Sequence, residues 1–282
     1  MKEYKIAIFG LSNLLGKALY EILKEKNYKI KGYSRNKKGW FKDEYEEWEA
    51  GKIPEIKEKI IIYLSSISGN WQVIKNPEEA FKVIVKSPFE IMNRLNKNSY
   101  FLYTSSASVY PEMERPKKEE DANPENLYGA MKYSAEILLS NLSKVKSIKF
   151  CSLRFSRIYG EGMERNPVAD FLKGIKNKKV ILYDDLESEY DYIYVKDAAN
   201  AIIFAIENNL EGIYNIGSGK GIKVYEIKKI FEDILKEKFE IEFKDKRKGK
   251  DLINIEKIKN KGFKIKYEIE EGIKEIISKE KN

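Results

Sequence analysis

Short apolar runs and amphipathic stretches take turns along the first 160 residues or so of this chain. Residues 4–9 (YKIAIF) are apolar enough and short enough for a buried strand starting at Tyr4. Residues 17–26 carry a helical pattern, and residues 28–33 (YKIKGY) give the next strand, so the first unit is β-α-β. Residues 77–95 and 124–142 read as two long helices. For the second, Asn123 is a good N-cap, Pro124 suits the first helical position and Glu125 suits the positive end of the dipole. Ala135, Leu138, Leu139 and Leu142 continue its apolar stripe, and Tyr128 is expected in its second turn. No strand can be placed between residues 36 and 59, where Trp40, Tyr45 and Trp48 read as packing residues. Repeated alternation of this kind predicts an α/β fold with a doubly wound parallel sheet.

Composition narrows the class without changing that picture. A chain of 282 residues with 42% apolar content can bury one substantial core, or a large domain with a smaller appendage. Net charge is +8, but the 53 basic residues are spread along the chain and interleaved with 45 acidic ones. A nucleic-acid surface would concentrate its lysines with aromatic platforms, so no nucleic-acid partner is expected. No apolar stretch approaches the ~20 residues of a membrane span, so no membrane partner is expected either. Cys151 is the only cysteine and sits in an apolar strand pattern, which makes it a buried structural thiol. The early first strand leaves no room for a signal peptide, and a cytoplasmic location is expected.

Candidate chemistry lies at three places. Tyr128 and Lys132 are four apart and share one helix face, so the ammonium is expected to favour the tyrosinate and lower the phenol. Upstream, the cluster Thr104-Ser-Ser-Ala-Ser108 offers a hydroxyl that could bind a carbonyl or alcohol while tyrosine moves its proton. Gly10-Leu-Ser-Asn-Leu-Leu-Gly16 follows the first strand and opens a helix, which places backbone N–H groups where a pyrophosphate can bind. Asn13 stands where that fingerprint expects a glycine; asparagine tolerates left-handed angles, so the turn is expected to survive.

With these pieces in order, the chain resembles the extended short-chain dehydrogenase/reductases, the NAD(P)-dependent epimerase/dehydratase family acting mostly on nucleotide sugars. Residues 9–16 look like its Thr-Gly-x-x-Gly-x-x-Gly turn, with Phe9 and Asn13 as departures. Residues 60–66 look like the strand on the nicotinamide side, and residues 101–110 match the Ser-Ser-Ser-Ala-x-Val-Tyr strand. Residues 153–160, 191–197 and 214–219 complete the set in family order. The resemblance implies a Rossmann-like domain over 1–160, rejoined by 190–220. It also implies a smaller α/β C-terminal substrate-binding part made of 161–189 and 221–282.

The resemblance assigns catalysis to Ser106, Tyr128 and Lys132. Cofactor contacts would come from Gly10, Ser12, Asn13, Leu14, Gly16, Leu64, Ser65, Tyr128 and Lys132. At the end of the second strand, Ser34 and Arg35 stand where an acidic residue would hold the ribose of NAD, and they suit a 2′-phosphate. NADP(H) is therefore favoured over NAD(H), with a solvated basic turn as the plain alternative. Ala107-Ser108 replaces the Asp-Glu pair of related dehydratases, and the chain has no histidine for the Cys/His route of epimerase-reductases. Hydride transfer at C4 of a nucleotide sugar remains, as 4-keto reduction (slightly favoured) or 4-epimerisation. Substrate contacts are expected from Ser106, Arg157, Asn166 and Arg247, although Tyr190 stands where the family has an arginine. A non-catalytic NADP-binding sensor or scaffold is the alternative of another class, prompted by Phe9 and Asn13. Related enzymes pair the two long helices across a two-fold axis, so a homodimer is expected, with Phe81, Val85, Phe89, Met92, Met131 and Leu138 as contacts.

Overall fold

In the computed structural model the described residues are 5–67 and 69–280; Tyr4, the expected start of the first strand, lies outside them. The chain divides into two compact units. The first holds residues up to 111 together with 119–154 and 199–214, and the second holds 112–118, 155–198 and the chain from 215 onward.

The first unit opens with β1 (Lys5–Phe9), α1 (Leu14–Glu25) and β2 (Lys29–Ser34), the expected β-α-β unit. The stretch that gave no sequence signal contains β3 (Glu44–Glu47), a parallel partner of β2. Its charged pattern, Glu-Tyr-Glu-Glu, hides it from any apolar-run reading because it sits at the sheet edge. Then come β4 (Ile60–Tyr63), α2 (Asn70–Lys75), α3 (Pro77–Phe81), α4 (Ser87–Arg94), β5 (Tyr100–Ser106), α5 (Leu127–Lys146) and β6 (Lys149–Phe155). In the second unit β7 (Arg157–Tyr159), α6 (Pro167–Gly174), β8 (Lys179–Asp184) and β9 (Glu189–Tyr194) follow. The chain then rejoins the first unit through α7 (Val195–Glu207) and β10 (Gly212–Ile216). The seven-stranded sheet has the order β3-β2-β1-β4-β5-β6-β10, the doubly wound arrangement expected.

A row of aromatic rings explains one departure from the fingerprint. Phe9 lies in register with Tyr33 on β2 and Tyr63 on β4, and Tyr63 in turn with Tyr103 on β5. Their rings stack at centroid distances of 4.4, 6.2 and 6.1 Å, with Trp48 edge-on to Phe9 at 5.0 Å. Phe9 is therefore a rung in a buried aromatic row rather than damage to the glycine turn.

The helix expected over 77–95 is continuous but carries a π-helical turn, Lys82–Lys86, in its middle. There the Ser87 N–H donates to Lys82 O, skipping Val83, and Pro88 has no N–H to offer. The carbonyls so released are taken by the aromatic row: Tyr63 Oη donates to Val83 O at 2.6 Å and Tyr103 Oη to Ile84 O at 3.0 Å. Val85 and Met92, expected as dimer contacts, are 2% and 0% exposed and belong to the core beneath this helix.

Helix α5 starts later than expected. Asn126, not Asn123, is its N-cap, with Oδ1 accepting from Gly129 N at 2.9 Å, while the Asn123 N–H donates to Val109 O. Tyr128 is thus in the first turn, not the second.

The second unit carries a four-stranded sheet centred on β9. It pairs with β7, with β11 (Gly221–Lys223) and with β13 (Lys250–Asp251). A second, two-stranded sheet joins β8 and β12 (Glu240–Arg247) in parallel. Residues 190–198 thus lie with this unit, because β9 finds its partners there, and only the chain from Ala199 rejoins the large sheet.

Candidate active site

The glycine turn keeps its form by an unexpected route. Gly10 has φ +84°, and a Cβ there would lie 2.5 Å from Ser65 N, so β1 and the chain after β4 touch at this point. Gly16 lets α1 close on the turn, since a Cβ would lie 2.1 Å from Leu11 O. Asn13 is not left-handed: its φ of −88° is ordinary extended backbone. Its side chain does the work instead, accepting from Gly16 N at 2.7 Å as the N-cap and donating to Leu64 O at 3.2 Å. Helical geometry leaves the N–H groups of Leu14 and Leu15 without intrahelical acceptors, with Ser12 exposed beside them.

At the end of β2, Ser34 is buried, its hydroxyl donating to Asn36 O at 3.1 Å, while Arg35 is exposed. The sequence reading of this turn missed one neighbour, because β3 places Glu47 level with Ser34. Leu64 and Ser65 follow β4 as expected. Beyond them, the hydroxyls of Ser66 and Ser105 are buried with no hydrogen-bond partner among the described residues. Helix-terminal donors without intrahelical acceptors, a turn held open by glycine, and the orphaned Ser105 hydroxyl near the end of β5 fit a dinucleotide.

The catalytic candidates come together in this unit. Ser106 ends β5, its Oγ accepting from Ser108 N and donating to Ser108 Oγ, both at 3.1 Å. Gly129 brings α5 against that turn; a Cβ there would lie within 2 Å of Ser108 O. The phenol of Tyr128 consequently faces the hydroxyls of Ser106 and Ser66. Lys132 is 1% exposed, donates to Thr104 O at 2.7 Å, and lies 4.7 Å from the Tyr103 ring centroid and 5.9 Å from that of Tyr128.

The expected lysine-driven depression of the phenol is not what this geometry gives. Burial pushes Tyr128 above the ordinary phenol value, opposed by Ser66 and Ser106. Burial also pulls Lys132 down to about 7, opposed by the carboxylate of Glu136 one turn on. Desolvation sets both directions: Lys132 is enclosed beside Tyr103, and Tyr128, partly buried, packs in the first turn of α5.

Glu136 itself is ion-paired. Arg154 on β6 grips its carboxylate, with Nη2 at 2.6 Å from Oε2 and Nε at 3.0 Å from Oε1, and Ser152 Oγ adds a third donor. The remaining Arg154 protons reach Tyr110 Oη and Glu119 O. This buried cluster pins α5 to β6 and so fixes the rotation of the helix that carries Tyr128 and Lys132.

The substrate candidates Arg157, Asn166 and Arg247 belong to the second unit. Arg157 lies over the Tyr190 ring, with its guanidinium carbon 3.7 Å from the ring centroid, and Tyr190 Oη donates to Asp184 Oδ1 at 2.8 Å. Tyr190, where an arginine was expected, thus serves as the platform of the arginine at 157. Asn166 spends its amide locally, capping α6 through Ala169 N at 2.9 Å and donating to Ile158 O at 3.1 Å. Arg247 is exposed and pairs with Asp245 at 3.2 Å.

A family model described as the NAD dependent epimerase/dehydratase family matches residues 6–217. The chain belongs to this family. Among its relatives, the putative UDP-glucose 4-epimerase of Methanocaldococcus jannaschii is 29% identical over 203 residues. That match spans 68% of this chain and 66% of the relative, just under two thirds of the latter's length. The dTDP-4-dehydro-6-deoxyglucose reductase of Escherichia coli is 28% identical over 268 residues, 85% of this chain and 84% of its own. Among solved structures, MoeE5 in complex with UDP-glucose and NAD superposes with a TM-score of 0.88 at 17% identity, covering 98% of both chains. At that identity the likeness speaks for the Rossmann-like fold. The family's enzymes are nucleotide-sugar epimerases and reductases that depend on NAD, in line with the expectation of an NAD(P)-dependent enzyme.

Sequence reasoning missed Ser66, Asn70 and Glu47. Asn70 Oδ1 accepts from Tyr128 N at 3.4 Å, a contact no spacing rule reveals. Ser66 had a signal, a second hydroxyl at the end of an apolar strand, but no partner to explain it until β4 and β5 were paired.

Proposed function

We propose that this protein moves a hydride at C4 of a nucleotide sugar, as a reductase of 4-keto sugars, with Ser106, Tyr128 and Lys132 as its catalytic set. The observation that carries the reading is the convergence of Ser106 and Tyr128 beside a buried Lys132, at the ends of strands whose neighbouring loop fits a dinucleotide.

A bound nicotinamide would supply or accept the hydride. Leu14 and Leu15 N–H, with Ser12, would hold its pyrophosphate, and Ser34 and Arg35 the adenosine ribose end. Ser106 donates a hydrogen bond to the sugar oxygen and orients it, keeping its own proton. Tyr128, a phenol and so protonated at neutral pH, then gives its own proton to that oxygen as the carbonyl becomes an alcohol. Lys132 places positive charge beside the tyrosinate so formed. Arg157, held over the Tyr190 ring, is the candidate for the substrate's diphosphate in the second unit.

Reduction is preferred over epimerisation for two reasons. The match to the Escherichia coli reductase extends over more of the chain than the match to the Methanocaldococcus jannaschii protein. The basic turn at Arg35 suits NADPH, a co-substrate drawn from a pool. Epimerisation with retained NAD is the second reading, favoured by Glu47 standing level with Ser34. A cytoplasmic homodimer completes the proposal.

The test is direct. Protein incubated with NADPH and dTDP-4-dehydro-6-deoxyglucose should consume nicotinamide absorbance, and Tyr128→Phe should lower the rate by roughly 10²–10⁴-fold with cofactor affinity kept. A Tyr128→Phe variant as fast as wild type would end this mechanism. Conversion of UDP-glucose to UDP-galactose without net nicotinamide change would select the epimerase reading.

A further inference from the structure

Ser66 has no assigned role, yet its position is demanding. β4 and β5 run parallel, and their last pair in register is Tyr63 with Tyr103. Three residues beyond that pair on each strand stand Ser66 and Ser106. The Ser66 hydroxyl is buried and closes no hydrogen bond among the described residues. The phenol of Tyr128 is the group it faces, in common with Ser106. At the start of α2, Asn70 Oδ1 accepts from the backbone N–H of Tyr128 at 3.4 Å.

A count of donors gives this placement a purpose. A serine hydroxyl carries one proton. If Ser106 directs its proton to the sugar oxygen, it has none for Tyr128 once that phenol has ionised. Lys132 spends one proton on Thr104 O and stands 5.9 Å from the centroid of the Tyr128 ring, and the side chains that bear on the phenol are those of Ser66 and Ser106. A buried phenolate with no donor is costly. We propose that Ser66 is a positioning residue of this site: its hydroxyl donates to the Tyr128 phenolate oxygen while the proton of Ser106 serves the substrate. Ser66 therefore acts through Tyr128 and makes no bond to the sugar. The inference rests on the proposed role of Tyr128 as acid.

Among the described residues, the other groups around this phenol do not duplicate the role. Lys132 lies on its own helix, with Glu136 behind it held by Arg154, and Tyr103 faces it from β5. The turn after β5 contributes the uncharged Ser108, and α2 the uncharged Asn70. On the helix over 77–94, Lys82 pairs with Glu79 and Lys86 with Glu90.

The experiment isolates one phenol among nineteen tyrosines. Tyrosinate absorbance is titrated against pH for the full chain with NAD⁺ added, and the curve of the matching Tyr128→Phe protein is subtracted. Wild type, Ser66→Ala and Ser66→Thr are compared in this way. Loss of the donor disfavours the charged form, so Ser66→Ala should move the Tyr128 midpoint up by about one pH unit. Ser66→Thr keeps a hydroxyl and should stay at the wild-type midpoint. In turnover with NADPH and dTDP-4-dehydro-6-deoxyglucose, the alkaline fall of kcat should move by the same amount and in the same direction.

An unshifted midpoint in Ser66→Ala overturns the inference, and so does a Ser66→Thr shift as large as that of alanine. The titration needs no turnover. A chain inactive on these sugars that still shows the Ser66→Ala shift would overturn the proposed reaction and keep Ser66 as the partner of Tyr128. Activity with an unshifted midpoint would do the reverse.

Discussion

Lys132 shows how far a single buried charge is coupled to its surroundings. Its pKa falls from 10.5 to about 7 on burial, with Glu136 opposing. Between those values the unfolded chain holds a proton that the folded chain has released, so stability rises with pH across about pH 7 to 10.5 and gains nothing below pH 7. Lys132→Met removes that slope. In denaturant titrations the variant should look best relative to wild type below pH 7 and lose ground, on the order of a few kcal/mol, by pH 10. A constant difference across that range would show that Lys132 keeps its ordinary proton affinity in the folded chain. Arg35 offers a second reading at this scale. Exposed at the end of β2, it should favour NADPH over NADH by roughly tenfold or more, the worth of one charge-assisted hydrogen bond. Arg35→Ala should erase that preference in equilibrium binding and leave NADH unchanged; equal affinities in the wild type would remove the case for NADP.

Elements carry the next set of consequences. The π turn of residues 82–86 is stable because the carbonyls it releases are received by Tyr63 and Tyr103. Tyr63→Phe keeps the ring in the aromatic row but leaves Val83 O buried without its donor. Such an orphan costs about 1–3 kcal/mol, measurable as a lower denaturation midpoint at unchanged m-value. An unaffected midpoint would mean the helix relaxes to a regular form without its tyrosine partner. The sequence revealed a helix here, and Pro88 was legible within it, but the consequence was not. A proline in mid-helix becomes tolerable only when something across the core takes the carbonyl it strands.

For the whole molecule, the question is what the exposed apolar side chains of the first unit are for. Trp71, Ile74 and Phe81 on α2 and α3, with Leu127, Ile137 and Leu138 on α5, are all more than 40% exposed. The helices pack on one another, so these residues revise the expected contact set, in which Val85 and Met92 proved to be core. If the proposed homodimer forms through this face, Ile137→Glu combined with Leu138→Glu should halve the mass seen by light scattering at micromolar concentration. A monomeric wild type would refute it. No helix among the described residues is long and apolar enough to cross a membrane, and the net charge of +8 is spread over many lysines paired with acids.

What the sequence determined by itself was set by local physics. The apolar periods placed β1, α1 and β2, the spacing of Tyr128 and Lys132 placed both on one helix face, and the order of motifs identified the family. What only the tertiary structure decided depends on neighbours distant in sequence. The edge strand β3 has too few apolar residues to announce itself and exists because β2 offers it hydrogen bonds. Asn126, not Asn123, caps α5, while the Asn123 N–H is tied to Val109 O, a neighbour fourteen residues back. Asn13 replaces a glycine by side-chain hydrogen bonding, not by backbone freedom. The proton affinities of Tyr128 and Lys132 follow from burial, which no pairwise spacing reports: a chain spells out which groups are near in sequence, and only the fold decides which of them lose their water.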